Sequence, residues 1–233
     1  MKQADLVLLP GLDGTGILFR PLIAALPADL RPEVIAYPPD RRLSLDEHAR
    51  HVLDRLPAGK PVVLAESFSG LVALALLARA PSRIGGVIFI CSFAEPPRPL
   101  LLRLAPLVSG SGALMRSAPS FLLRQFCLGR DATVEQLNLL REALHAVAPE
   151  VLAHRLALVA TRQSFGKAPF KTPCHYFQAS EDRLVPSAAA RWFQQRFERC
   201  DLERIPGPHF VLQAKAPECA QKVAGILLKD TRP

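Results

Sequence analysis

The sequence predicts an α/β fold: a mostly parallel sheet of about six strands flanked by helices, with a helical insertion after the fourth strand. Three observations predict it. Short apolar runs rich in Val and Ile alternate with helical patterns, as parallel strands joined by crossover helices require. The first four runs are close to continuously apolar, as strands covered on both faces should be. The rhythm fails only over residues 96–165, a stretch rich in Leu and Phe with no strand of its own.

The first strand is expected at 5–9, opening into Pro10-Gly11-Leu12-Asp13-Gly14-Thr15-Gly16. Those glycines let backbone approach a bound group, and the loop could supply an amide to an oxyanion. A phosphate cradle fits worse: the order G-x-x-G-x-G lacks the Lys-Ser/Thr of a P-loop and is not G-x-G-x-x-G. A second strand follows at 33–37. Ser44-Leu45-Asp46-Glu47 reads as a capping box, opening a helix that buries Leu45, His48, Ala49, Val52, Leu53 and Leu56; Pro57 and Gly59 end it.

The third strand, 61–65, runs directly into a helix from Ser69 to Ala80, stopped before Pro81. After a fourth strand at 86–91, three or four short helices are expected, over 100–107, 121–128, 134–148 and 151–162, the one at 134 opened by the capping box Thr133-Val134-Glu135-Gln136. A strand at 174–178, a helix at 186–197, a strand at 202–205 and a helix at 216–229 complete the series. Residues 1–95 and 166–233 thus form the core, and 96–165 a helical lid. A helical subdomain without a gating role is the alternative.

Composition narrows the function. A chain of 233 residues, 49% hydrophobic and 21% charged, suits one compact domain and excludes a disordered chain. No apolar run approaches the roughly 18 residues a membrane span needs. The start carries no secretory signal pattern, so a cytoplasmic location is expected. Five cysteines, odd in number and without C-x-x-C spacing, argue against a disulfide framework or a zinc site. Of the net charge of +8, residues 95–171 carry +5, as ten basic against five acidic side chains. That concentration reads as a solvated helical face or as an approach surface for an anionic partner. The remaining cations are scattered without interleaved aromatics, which argues against nucleic acid.

Chemistry concentrates at strand ends. In Ala65-Glu66-Ser67-Phe68-Ser69, a strand meets a helix at Ser67, with small residues two before and two after it. A nucleophile elbow needs that arrangement, because the turn is too tight for bulk. Ser69 fits worse as nucleophile, since Leu71 would crowd its turn; a serine that merely caps the helix is the plain alternative. Asp182, with Glu181 as competitor, follows the strand at 174–178. His209 lies in Pro206-Gly207-Pro208-His209-Phe210, after the last strand. All three groups and the glycine loop fall at carboxyl ends of parallel strands, hence on one edge of the sheet. His48 and His51, three apart, read as surface residues rather than a metal site. His145, His154 and His175 have no partner spacing. No metal or organic cofactor is expected.

The order Ser67, Asp182, His209 and the near-complete length covered resemble the α/β-hydrolase superfamily, in its lid-bearing carboxylesterase-like branch. That branch includes the pimeloyl-acyl carrier protein methyl ester esterases. The Leu-Pro-Gly-Leu-Asp-Gly-Thr-Gly opening is also similar to that of plastid phytyl ester synthase-like acyltransferases. Pro10-Gly11 replaces the His-Gly of many relatives, and Ala65 and Ser69 replace the elbow glycines. What the resemblance implies is a serine hydrolase acting on an apolar acyl ester or thioester. Ser67 would be nucleophile, His209 base and Asp182 its orienting acid, with the amides of Leu12 and Phe68 as oxyanion hole. An acyltransferase using the same residues, or a non-catalytic ligand sensor, are the alternatives. An acidic carrier protein is the partner the basic segment would suit.

Overall fold

The computed structural model describes residues 6–98 and 111–230; the helix expected over 100–107 lies outside them. Six strands, β1 (Leu6–Leu9), β2 (Glu33–Val34), β3 (Val62–Glu66), β4 (Gly86–Ile90), β5 (Cys174–Ala179) and β6 (Cys200–Ile205), form one sheet. Its order is β2-β1-β3-β4-β5-β6, with every pairing parallel. β1, β3 and β4 are buried along their whole length, which is why they read as near-continuous apolar runs, Glu66 at the end of β3 apart. β2 is shorter than the five residues expected. Ile35 still donates to the Leu8 carbonyl at 3.1 Å, but the Tyr37 amide turns to the Gly14 carbonyl at 2.7 Å and draws the chain off the sheet.

The helices are α1 (Arg20–Ala25), α2 (Leu45–Leu53), α3 (Ser69–Arg79), α4 (Ser111–Arg116), α5 (Ser120–Leu123), α6 (Val134–His145), α7 (Pro149–Ala160), α8 (Ala189–Arg196), α9 (Val211–Ala214) and α10 (Ala216–Asp230). A π-helical turn, Arg124–Leu128, continues α5. Side chains alternate across each strand, so the sheet buries two faces. Val7, Leu9, Val63, Ala65 and Phe89 pack under α2, α3 and α8. Leu6, Leu8, Leu64, Ile88 and Ile90 pack under α1, α9 and α10. Both expected capping boxes form, at Ser44/Glu47 and Thr133/Gln136. α7 begins two residues earlier than its apolar pattern suggests, because Pro149 is favoured in a first helical turn, where no amide is needed.

The helices between β4 and β5 have an apolar cluster of their own. Leu123, Leu128, Leu137, Leu140, Leu144, Val151 and Leu152 gather there with Leu18, from the loop after β1. This segment lies against the carboxyl edge of the sheet and is bonded to it. The Phe210 amide donates to the Cys127 carbonyl at 3.1 Å, and the Ala148 amide to the Pro39 carbonyl at 2.9 Å. Among the described residues, no single helix is long and apolar enough to cross a membrane.

Candidate active site

β3 ends at Glu66 and α3 begins at Ser69, so the reversal is made by Ser67 and Phe68 alone. Ser67 takes a left-handed backbone, φ 50°, an uncommon conformation for a non-glycine residue. Its amide is anchored on the Ile90 carbonyl at 2.8 Å. Ala65 and Ser69 are both fully buried beside this turn. Ser69 uses its hydroxyl twice: it donates to the Pro10 carbonyl and meets the Tyr37 hydroxyl at 2.5 Å. α3 runs so close to the end of β4 that a Cβ on Gly70 would sit 2.6 Å from that of Ser92.

Ser67 meets two partners from distant loops. His209 Nε2 lies 2.9 Å from Ser67 Oγ, and His209 Nδ1 lies 2.7 Å from Asp182 Oδ2. The Asp182 and His209 side chains are each only 5% exposed. The other Asp182 oxygen accepts the Leu184 and Val185 amides, both at 2.8 Å, so the carboxylate is fixed from both ends. Glu181, the competing acid, is exposed, and its amide binds the Gly207 carbonyl at 2.9 Å. Ser69 is buried within its own bonds and does not reach the imidazole.

Sequence reasoning did not single out two neighbours. Cys91, at φ 46°, places its sulfur so that it and the ligand atoms of Asp182 and His209 all lie within 4.8 Å of one another. These donors are close enough to hold a metal ion, but the carboxylate and imidazole are already bonded to each other. Burial and the Asp182 charge push the Cys91 thiol well above its usual range. Glu66, buried next to Ser67, has its carboxyl pushed up to about 7 by desolvation. Glu66 Oε1 accepts from Gln213 at 3.1 Å, and Oε2 has no partner among the described residues. The signal available in the sequence was a glutamate closing an otherwise apolar strand.

Above Ser67 lies a cavity of about 410 Å³, walled by Leu18, Met115, Leu122, Phe126, Leu144 and Val159 among others. Leu12 and Phe68 also line it, and among the described residues neither of their amides donates to another backbone carbonyl. The loop carrying Leu12 packs against Arg155 of α7. This side chain, one of the ten cations counted in the basic segment, is fully buried rather than on a solvated face. The two expectations for His48 are decided in favour of the buried helix face: it is not a surface residue but fully buried, Nδ1 lies 2.8 Å from the Ser44 carbonyl, and its ring packs edge-on against Tyr37 and Phe68. Desolvation holds it down at about 4.

Comparison with known proteins agrees with the fold. The model of the alpha/beta hydrolase family matches residues 6–222. The chain is 31% identical, over a 253-residue alignment, to a pimeloyl-[acyl-carrier protein] methyl ester esterase of Aromatoleum aromaticum, covering 99% of this chain and 98% of that protein. It superimposes on a thermophilic esterase from Thermogutta terrifontis with a TM-score of 0.79 at 18% identity, covering 98% of this chain and 91% of the other. For the enol-lactonase from Burkholderia xenovorans LB400 the TM-score is 0.74 at 17% identity, covering 98% and 92%. At such identities these two structures bear on the fold alone. The chain belongs to the alpha/beta hydrolase family and is an enzyme of its esterase type.

Proposed function

We propose that the protein hydrolyses a carboxylic ester or thioester of an apolar acyl group through an acyl-enzyme at Ser67. The observation that carries this is the continuous bonding Ser67–His209–Asp182 at the floor of an apolar cavity. His209 takes the Ser67 proton as Oγ attacks the acyl carbon, then returns it to the departing alcohol or thiol. Water repeats the sequence on the acyl-enzyme, releasing the acid and restoring Ser67. Asp182 orients the imidazole and stabilises its charged form. The amides of Leu12 and Phe68 hold the oxyanion, a contribution of roughly 3–4 kcal/mol per donor in comparable sites.

Helices α4 to α7 act as a lid that roofs the acyl pocket. The relative's substrate is borne by an acyl carrier protein, and the basic character of this segment supports an acidic carrier as the partner here. The Ser67→Ala variant is expected to lose ester turnover, and its labelling by a fluorophosphonate, while keeping its thermal transition. Undiminished turnover would overturn the assignment. For the carrier, turnover of a carrier-bound ester should fall steeply with salt while that of a free short-chain ester does not; identical salt responses would refute it.

A further inference from the structure

We infer that Arg155 is a positioning residue for the oxyanion loop, so that the seating of α7 and the assembly of the oxyanion site are one event. The inference rests on the reading of Leu12 given above. Arg155 is fully buried, yet among the described residues it forms no ion pair with a carboxylate. Its guanidinium is spent on backbone. Nη1 donates to the Leu12 carbonyl at 3.1 Å and the Asp13 carbonyl at 2.5 Å, and Nη2 to the Pro38 carbonyl at 2.9 Å. The planar group lies over the Tyr37 ring, 5.6 Å from its centre.

The loop is shaped to receive it. Gly14 has φ +72°, and a Cβ there would lie 2.3 Å from Arg155 Nη1. The group that the glycine loop admits closely is therefore the chain's own guanidinium. From the opposite side, Ser69 holds the Pro10 carbonyl, and the Gly14 amide holds that of Gly11 at 3.1 Å. Every carbonyl from Pro10 to Asp13 is thus tied down, leaving the Leu12 N–H fixed in direction. A fixed donor is the requirement for oxyanion stabilisation, because it needs no reorganisation as charge develops. A buried cation commonly serves stability alone, so the test must read something beyond folding.

The Arg155→Lys variant keeps the charge but replaces a planar fork by a single ammonium point. With a free short-chain ester, kcat is expected to fall about 10- to 100-fold while KM stays within about threefold. Affinity for an alkylboronic acid, which forms a tetrahedral adduct on the serine, should fall in step with kcat/KM. Should Arg155→Lys fold poorly, Arg155→Ala supplies the second test, with millimolar guanidinium expected to restore turnover. Undiminished kcat in a folded Arg155→Lys, or loss of activity that only tracks loss of folded protein with no guanidinium rescue, would overturn the inference. Ser67→Ala separates the two claims: if that variant is inactive and Arg155→Lys is not, the positioning role fails and the proposed function stands.

Discussion

Replacing Glu66 by Gln is expected to stabilise the protein at alkaline pH and to do so less at acid pH. Glu66 is 2% exposed at the end of β3, with one oxygen on Gln213 and the other without a partner. Burial raises its pKa from an ordinary 4.5 to about 7. Below about 4.5 folded and unfolded chains both hold the proton, and the group is neutral in its effect. Between 4.5 and 7 the unfolded chain releases the proton while the folded one keeps it, so stability falls as pH rises. Above 7 the loss is complete. A gap of about 2.5 pH units, at 1.36 kcal/mol each, amounts to about 3 kcal/mol. Glutamine carries no charge and escapes this loss. Urea denaturation of both proteins at intervals from pH 4.5 to 8.5 should show the stability difference, variant minus wild type, growing by about 3 kcal/mol. A difference constant across that range would refute the reasoning.

His48 works in the opposite sense. Its folded pKa, near 4 against an ordinary 6.5, means the unfolded chain binds more protons between those values. Stability should therefore drop as pH falls through that window by about 3 kcal/mol, a loss His48→Leu should abolish in the same titration. In wild type the Glu66 and His48 effects oppose each other from about pH 4.5 to 6.5, so removing either one should change the slope there in opposite directions. Gly70→Ala forces a methyl to within 2.6 Å of Ser92 Cβ and should cost about 1–3 kcal/mol in chemical denaturation, with partial recovery when Ser92→Gly is added. Ser69→Gly removes the hydroxyl shared by Pro10 and Tyr37, and should cost about 1–3 kcal/mol. An unchanged denaturation midpoint would dismiss that bond.

How much of this was legible in the sequence follows from where each signal is written. β1, β3 and β4 announce themselves because two covered faces demand near-continuous apolar runs, whereas the edge strands β2 and β6, largely exposed, carry polar residues. β2 was overextended because Ile35-Ala36-Tyr37 has strand composition, and only the tertiary pull of Gly14 on the Tyr37 amide ends it. Ser67, Asp182 and His209 stand at strand ends in turn-forming sequence, and polar groups there are visible against an apolar background. Asp182 was the acid the sequence favoured, with adjacent Glu181 as competitor, since neighbours differ merely in the direction a loop turns them; in the structure Asp182 meets the imidazole and Glu181 is exposed. Glu66 and Cys91 were not singled out because their surroundings come from other strands. Arg155 was counted as one more surface cation, since a helical pattern does not say which charged residue finds carbonyls more than a hundred positions away.

The fit of Gly14 to Arg155 has a practical consequence for recombining parts of such enzymes. Residue 14 and α7 must travel together: transplanting α7 from a relative that lacks the arginine would leave a hollow beneath Tyr37 and three carbonyls facing nothing. Conversely, placing any side chain at 14 would eject the guanidinium and unseat α7. A designer wishing to reshape the cavity above Ser67 should exchange the walls contributed by α4 and α5, and leave the junction between α7 and the first loop as a single unit.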